Sequence, residues 1–427
     1  MHKLLLVLSM TLAMQAQTIH VDAQALPNGN GSAQAPFNNI PAAVAYANTL
    51  KGSPNIHVAP GRYVIANTLL IEKGLTLQGS DELEIDTEGW PTGELVDPAQ
   101  ETRIVGMATL AGRPMISAGK SGQVINNVKF RGFTFEAAPI NSSILDFARV
   151  QDFEVRNCIM IGSLIGSSDL AGAINTFASS GTIRDNYMTR LLGAAFMGAG
   201  YAGSPADVTF RGNRGVHNRE GILLLGTSDG ITEPGDHLNA TVRDNDLSDN
   251  NNQRNSAGIR ILVKGRETLG FGYGSTGLSE GNIQATIQHN RLARNKIGIV
   301  IDAGFVSRLV PAPPPNVCDT RTFTGLLDLS FRENTVTDST LRSALVTFTQ
   351  FQAALSLLEG TPLQFATMQY LHIASFRIDD PDNVLAGWFL NHPATDPFLG
   401  GPCGADTIHE QLNNTLYVNG SLVPPTP

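Results

Sequence analysis

The sequence is short of charge, of cysteine and of long apolar runs. Only 16% of its residues are charged and 42% are hydrophobic, which is too apolar a composition for a disordered chain. Basic residues are outnumbered, 29 to 38, and the formal net charge of −9 argues against a general binder of nucleic acid or anionic membrane. Beyond the N-terminus no stretch is long and apolar enough to span a membrane. Helical periodicity of the length that helix-pair repeats need is also missing. Cysteine is confined to Cys158, Cys318 and Cys403. Cys318 and Cys403 sit in the turn-rich segments PAPPPNVCDT and LGGPCGADT. In an oxidising compartment they either form a disulfide or stay as two free thiols.

Glycine, by contrast, is plentiful at 43 residues. With scattered short polar clusters it marks many turns, and therefore many short strands. The 427 residues suffice for two or three small domains or for one elongated array. At the start, Met1-His-Lys is followed by LLLVLSMTLAM and the small residue Ala16. We read residues 1–17 as a secretory signal peptide, the alternative being a buried N-terminal strand. A secreted or periplasmic location follows. No cysteine comes directly after the apolar run, so a lipoprotein anchor is not expected.

The informative pattern is a repeat centred on asparagine. TIRDN ends at Asn186, TFRGN at Asn213, TVRDN at Asn245, TIQHN at Asn290 and SFREN at Asn334, and FEVRNC puts Cys158 in the same slot. An apolar residue lies three before each of them: Val155, Ile183, Phe210, Val242, Ile287 and Phe331. The asparagines are about 27 to 45 residues apart, a period that implies stacked supersecondary units. A second element recurs after them as Gly221-Ile-Leu-Leu, Gly258-Ile-Arg-Ile and Gly298-Ile-Val-Ile. Both elements alternate with period two, as strands do. Coiling places equivalent strands side by side and stacks the asparagines, which then pass amide hydrogen bonds along the pile. The column Asn186, Asn213, Asn245, Asn290 and Asn334 is therefore read as structural, and Cys158 as buried and unreactive. Ile40, Ala43, Val44 and Ala47 share one helical face, and residues 40–50 are read as a helix capping the apolar end of the stack.

These elements, with the opening VDAQALPNGNGSAQAPFNNIPAAVAYA and IHVAPGRY, resemble the pectin lyase-like right-handed parallel β-helix proteins exported by bacteria. The resemblance covers roughly residues 18–350 and implies an all-β solenoid. Residues 351–427 are read as irregular terminal coils with a cap; within them FQAALSLLEG suggests a short helix, and YLHIASFRI and TLYVNGSLV suggest strands. The superfamily includes lyases, polygalacturonases, esterases, epimerases and tailspikes, so the resemblance fixes architecture and not activity. The paired acids with GHG and RIK of polygalacturonases, and the QDTL and GRPW-type segments of the esterases, are missing.

Long insertions at 226–239, 264–284 and 303–323 all follow the Gly-Ile strand and precede the TVRDN-type strand. They leave one side of the coil and stack there, which either walls a groove or decorates a tolerant edge. Ile259, Ile261, Ile299 and Ile301 are expected to point inward, leaving Arg260 and Asp302 outward in adjacent coils and two positions apart. Between residues 254 and 308 there are eight Lys or Arg against three Asp or Glu. Arg260, Lys264, Asp302 and His237 are the candidate catalytic groups, and Arg266, Phe271 and Tyr273 the candidate substrate contacts. Cations suit uronate carboxylates, and aromatic faces suit sugar rings. Taken singly, each charged residue is also what an ordinary solvated surface carries.

Other motif matches fail on context. Gly272-Tyr-Gly-Ser-Thr-Gly277 has no following helix, and Gly226-Thr-Ser-Asp-Gly230 lacks a strand–turn–helix setting. DNDLSDNNN and RIDDPDN are acidic enough for surface Ca²⁺ but lack EF-hand spacing. No cofactor is otherwise implied. The expectation is a monomeric exported protein that binds or cleaves an acidic polysaccharide, as a lyase or glycoside hydrolase if it is an enzyme. The competing reading is a non-catalytic surface, adhesion or envelope protein that uses the β-helix as a rigid scaffold.

Overall fold

A sharp corner between strands must turn the chain without stranding its amide groups, and here two adjacent residues accomplish it. The first adopts a left-handed backbone: Asp185 (φ 57°), Gly212 (φ 62°), Asp244 (φ 59°), His289 (φ 54°) and Glu333 (φ 50°). The second is the repeating asparagine, buried in every coil. The Asn245 side-chain oxygen accepts from the backbone N–H of Asn213 at 2.9 Å and from its side-chain amide at 3.2 Å. The Asn245 amide in turn donates to the carbonyl of Phe210 at 3.1 Å. Asn186 with Asn213, Asn245 with Asn290, and Asn290 with Asn334 repeat the arrangement. The column starts at Cys158, whose N–H donates to the Asn186 oxygen at 3.0 Å. Its free thiol is buried, and burial pushes it up to about 12.

A second asparagine column stands at the next corner, with left-handed His217, Asp249 and Arg294 preceding Asn218, Asn250 and Asn295. The Asn218 N–H donates to the Asn250 oxygen at 2.9 Å, and the Asn250 N–H to the Asn295 oxygen at 2.9 Å. Short strands such as Tyr187–Thr189, Arg214–Val216 and Arg291–Ala293 run between the two corners.

The computed structural model describes residues 17–110, 112–119, 123–137, 143–164, 171–200, 206–227, 236–253, 256–266, 279–308, 323–347, 351–353, 371–379, 388–391, 416–418 and 421–423. Among these, the strands form one 18-stranded and one 11-stranded sheet, with two smaller pairs. The first sheet stacks Ser180–Arg184, Ala206–Arg211, Asp236–Arg243, Ser279–Gln288 and Phe323–Arg332, all parallel. The second stacks Ile174–Phe177, Ala194–Ala199, Glu220–Thr227, Ala257–Arg266, Ile297–Arg308 and Arg342–Thr347, again parallel. The chain is thus a parallel β-helix. Its core is the enclosed column in which Phe210, Val242, Ile287 and Phe331 from the first sheet meet Ile259, Ile261, Ile299 and Ile301 from the second. Gly221 and Gly258, near the start of two second-sheet strands, are required by crowding: a Cβ on Gly221 would lie 2.5 Å from the carbonyl oxygen of Gly258, and one on Gly258 would lie 2.8 Å from that of Gly298.

The helix Ile40–Thr49 begins where the Asn39 side chain accepts from the Ala42 N–H, with Pro41 in its first turn. It buries Ile40, Ala43, Val44 and Ala47 against the strands Thr18–Val21, Asn55–Val58 and Leu69–Ile71.

One hairpin leaves the stack. Leu83–Ile85 and Pro91–Leu95 pair antiparallel and lie across the outer face of the short strands. Leu83 and Leu95 pack with Ile159, Ile161 and Tyr187. Toward its tip, Asp86 pairs with Arg214 at 2.9 Å, Glu88 with Arg291 at 2.6 Å, and Trp90 lies under the Arg291 guanidinium. The hairpin is a strap running over several coils.

Two boundaries differ from the sequence reading. The strands Asp236–Arg243, Ala257–Arg266, Ser279–Gln288 and Ile297–Arg308 extend into the expected insertions, because pairing such as Thr227 with Lys264 and Gly265 with Val306 continues there. Phe351–Ala353, expected to open a helix, instead pairs in parallel with Val306–Arg308. Cys318 and Cys403 lie outside the described residues.

Candidate functional site

The second sheet presents an outward column formed by Ser117, Asp146, Asn175, Met197, Leu223, Arg260 and Val300, one residue per coil. Neighbouring strands are about 4.8 Å apart, so the column is a straight floor along the axis. Its chemistry changes in order. Ser117, Asp146 and Asn175 are polar. Met197, Leu223 and Leu225 then form an apolar cluster with Ala194 and Ala199, against which Phe177 and Leu262 pack. Arg260 follows, its Nε 2.5 Å from a Glu220 oxygen, with both side chains mostly buried. Arg219 adds a longer contact to the same oxygen at 3.9 Å.

Asp146 is the residue that the sequence reading missed. One of its carboxylate oxygens is buried and has no hydrogen-bond partner among the described residues, and burial pushes the group up to about 6. A carboxyl titrating there can hold or release a proton near neutral pH. Its only sequence signal is alternation in LDFA, where Leu145 and Phe147 are buried and Asp146 faces outward. The burial that perturbs it is tertiary. Asp146 and Glu220 stand three strands apart and three residues apart along the strand, a separation of at least about 14 Å. That exceeds the separation at which two carboxylates flank one glycosidic bond, so the two do not make a hydrolytic pair.

The other candidate residues are distributed as follows. Arg260 lies beside Leu223 and Val300, and Asp302 beside Leu262, which places them in adjacent coils two positions apart. Lys264 and Arg266 belong to the strand Ala257–Arg266 rather than to a loop. The side chains of Lys264, Arg266 and Asp302 lie outside the described residues, as do Phe271 and Tyr273 entirely. His237 is exposed on the first sheet, beside Asn282, and so on a different sheet from Arg260. Among the described residues no group of three or more His, Cys, Asp or Glu is arranged to hold a metal ion, and no helix is long and apolar enough to cross a membrane.

No protein-family model matches the sequence, and no curated protein matches it. Solved structures do. The Azotobacter vinelandii mannuronan C-5 epimerase AlgE6 A-module is similar at a TM-score of 0.40 and 14% identity, over 91% of this chain and 95% of that one. The Yersinia enterocolitica family 28 exopolygalacturonase is similar at a TM-score of 0.40 and 11% identity, over 95% and 78%. The Geobacillus virus E2 protein ORF18 is similar at a TM-score of 0.39 and 10% identity over 77% of this chain, which spans 62% of the viral protein. The strand registers themselves make this chain a parallel β-helix, the architecture of the pectin lyase-like proteins that its sequence resembles.

Proposed function

We propose that this protein binds a polysaccharide lengthwise on the outer face of its second sheet. The observation that carries the reading is the order of groups on that floor: an acid with an unsatisfied oxygen at Asp146, an apolar strip from Met197 to Leu225, and the Glu220–Arg260 pair. Sugar rings present apolar C–H faces beside hydroxyls and, in uronates, carboxylates. A linear floor alternating in the same way complements such a chain. Arg260, held by Glu220, is the cation on this floor that a ligand carboxylate could share, and such local cations would draw an anionic polymer against the repulsion of the overall negative charge. An export segment at residues 1–17 suits action outside the cytoplasm on such a polymer.

The scaffold reading has its own support. Met197 is 2% and Leu223 8% exposed, so the centre of the floor is covered, as an internal packing surface would be. Calorimetry with oligogalacturonate separates the two. Replacing Arg260→Met together with Glu220→Gln removes the ion pair without leaving one buried charge alone. The binding reading expects affinity to fall with the fold intact, while Glu84→Gln, an exposed charge on the strap, leaves it unchanged. Undiminished binding by the double variant refutes the floor. Unsaturated-uronate absorbance and reducing-sugar release, measured on the same samples, report whether the bound chain is cleaved.

A further inference from the structure

The first sheet carries a separate ordered outer face. Thr182, Thr209, Thr241 and Thr286 stand in register and half-buried. Two positions beyond Thr182, Thr209 and Thr241 stand Arg184, Arg211 and Arg243, and Arg131 and Arg156 extend this column of arginines into the two preceding coils. Cations stacked about 4.8 Å apart repel unless each has a counter-ion. Glu154 serves three of them: Arg131, Arg156 and Arg184. Burial works to raise the Glu154 carboxyl, yet the three arginines hold it below the usual range. The left-handed corner residue supplies the rest, Asp185 to Arg184 at 2.6 Å and Asp244 to Arg243 at 2.9 Å.

After Arg211 the corner residue is Gly212, which has no carboxylate to give. A Cβ there would meet the Asp185 carboxylate oxygen at 2.7 Å, so a larger residue would have to displace that carboxylate. Among the described residues Arg211 has no counter-ion. It is half-buried, flanked by two guanidinium groups whose own carboxylates are committed, and bordered by the threonine column.

We propose that this face is a second, lateral binding surface for an anionic polysaccharide, with Arg211 as its anchoring cation and the hydroxyls of Thr182, Thr209 and Thr241 beside it. The inference rests on the polysaccharide reading above and adds a site on the opposite sheet. A guanidinium fork takes a carboxylate in two parallel hydrogen bonds. The threonine column runs along the axis, so a chain anchored at Arg211 lies along the rod and meets one hydroxyl per coil.

The test uses the full chain in affinity electrophoresis, with oligogalacturonate as the uronate probe and maltodextrin as the neutral one, each variant first shown folded by circular dichroism. Arg211→Ala is expected to weaken oligogalacturonate binding about tenfold, the loss of one charge-assisted contact. Maltodextrin migration stays unchanged, and Arg211→Lys recovers part of the loss. Asp244→Asn, which frees Arg243 and keeps a residue tolerant of left-handed backbone, is expected to tighten binding. If Arg211→Ala binds as wild type while the Arg260/Glu220 double variant loses affinity, the lateral surface is overturned and the polysaccharide reading stands. A wild-type protein that binds no uronate polymer overturns both.

Discussion

The indole Nε1 of Trp90 donates to the backbone carbonyl oxygen of Asp244 at 2.9 Å, joining residues 154 positions apart. Asp244 is itself a left-handed corner residue, so the strap tip engages a carbonyl at the place where the coil bends. The same indole lies 5.7 Å from the Arg291 guanidinium carbon in the next coil. Trp90→Ala removes both contacts and is expected to cost about 1–3 kcal/mol. Thermal melting measures the loss, and hydrogen exchange should show residues 82–96 opening first. Unchanged protection of the strap would show that its tip is not what holds it down.

The Glu88–Arg291 ion pair of the strap should matter much less. Glu88 is more than half exposed, and such pairs contribute about 0–1 kcal/mol and are screened by salt. Glu88→Gln is expected to shift melting little at low salt and not at all in high salt. A loss comparable to that of Trp90→Ala would reverse the ranking.

Both asparagine columns should be stability elements. Asn245→Ala leaves the Asn213 backbone N–H and the Phe210 carbonyl without their partner, and Asn250→Ala does the same to the Asn218 N–H and the Gly215 carbonyl. Each is expected to cost about 1–3 kcal/mol by chemical denaturation. Equal midpoints for wild type and variants would show that water replaces the amide.

Asp146 gives a pH signature. Its folded-state carboxyl, raised to about 6 by burial, binds a proton more tightly than the unfolded chain does. It therefore contributes stability that is complete below about pH 4 and lost as pH rises through 6. Asp146→Asn is expected to be more stable than wild type by about 1–3 kcal/mol at pH 7, with the advantage vanishing near pH 4. A difference independent of pH would place the cause elsewhere than in ionisation.

What the sequence disclosed depended on how local the signal was. The first asparagine column repeats a five-residue phrase, and the inward orientation of Ile259 and Ile299 follows from alternation within one strand. The second column, Asn218, Asn250 and Asn295, was equally present but passed unread, because its neighbours vary between HisAsn, AspAsn and ArgAsn without a fixed lead-in. The strap had no local signal at all, since its partners lie 128 and 203 residues away. Strand ends such as Asp236–Asn239 were misread as loop because pairing partners, not propensity, extend them. Asp146 looked like any outward acid, and only the packed structure shows its oxygen without a partner.

The strap also fixes an order of events during synthesis. Coils can form one after another as the chain emerges, each new strand templated by its predecessor. Residues 82–96 cannot finish docking until Arg291 has been made and placed, 203 residues after Glu88. Leu83 and Leu95 can settle on Ile159 and Tyr187 much earlier, so the hairpin closes from its base toward its tip as successive coils arrive. Sealing of the tip then reports that the coils beneath it have been laid down in register, and a chain arrested before Asp244 would leave the Trp90 indole without its acceptor.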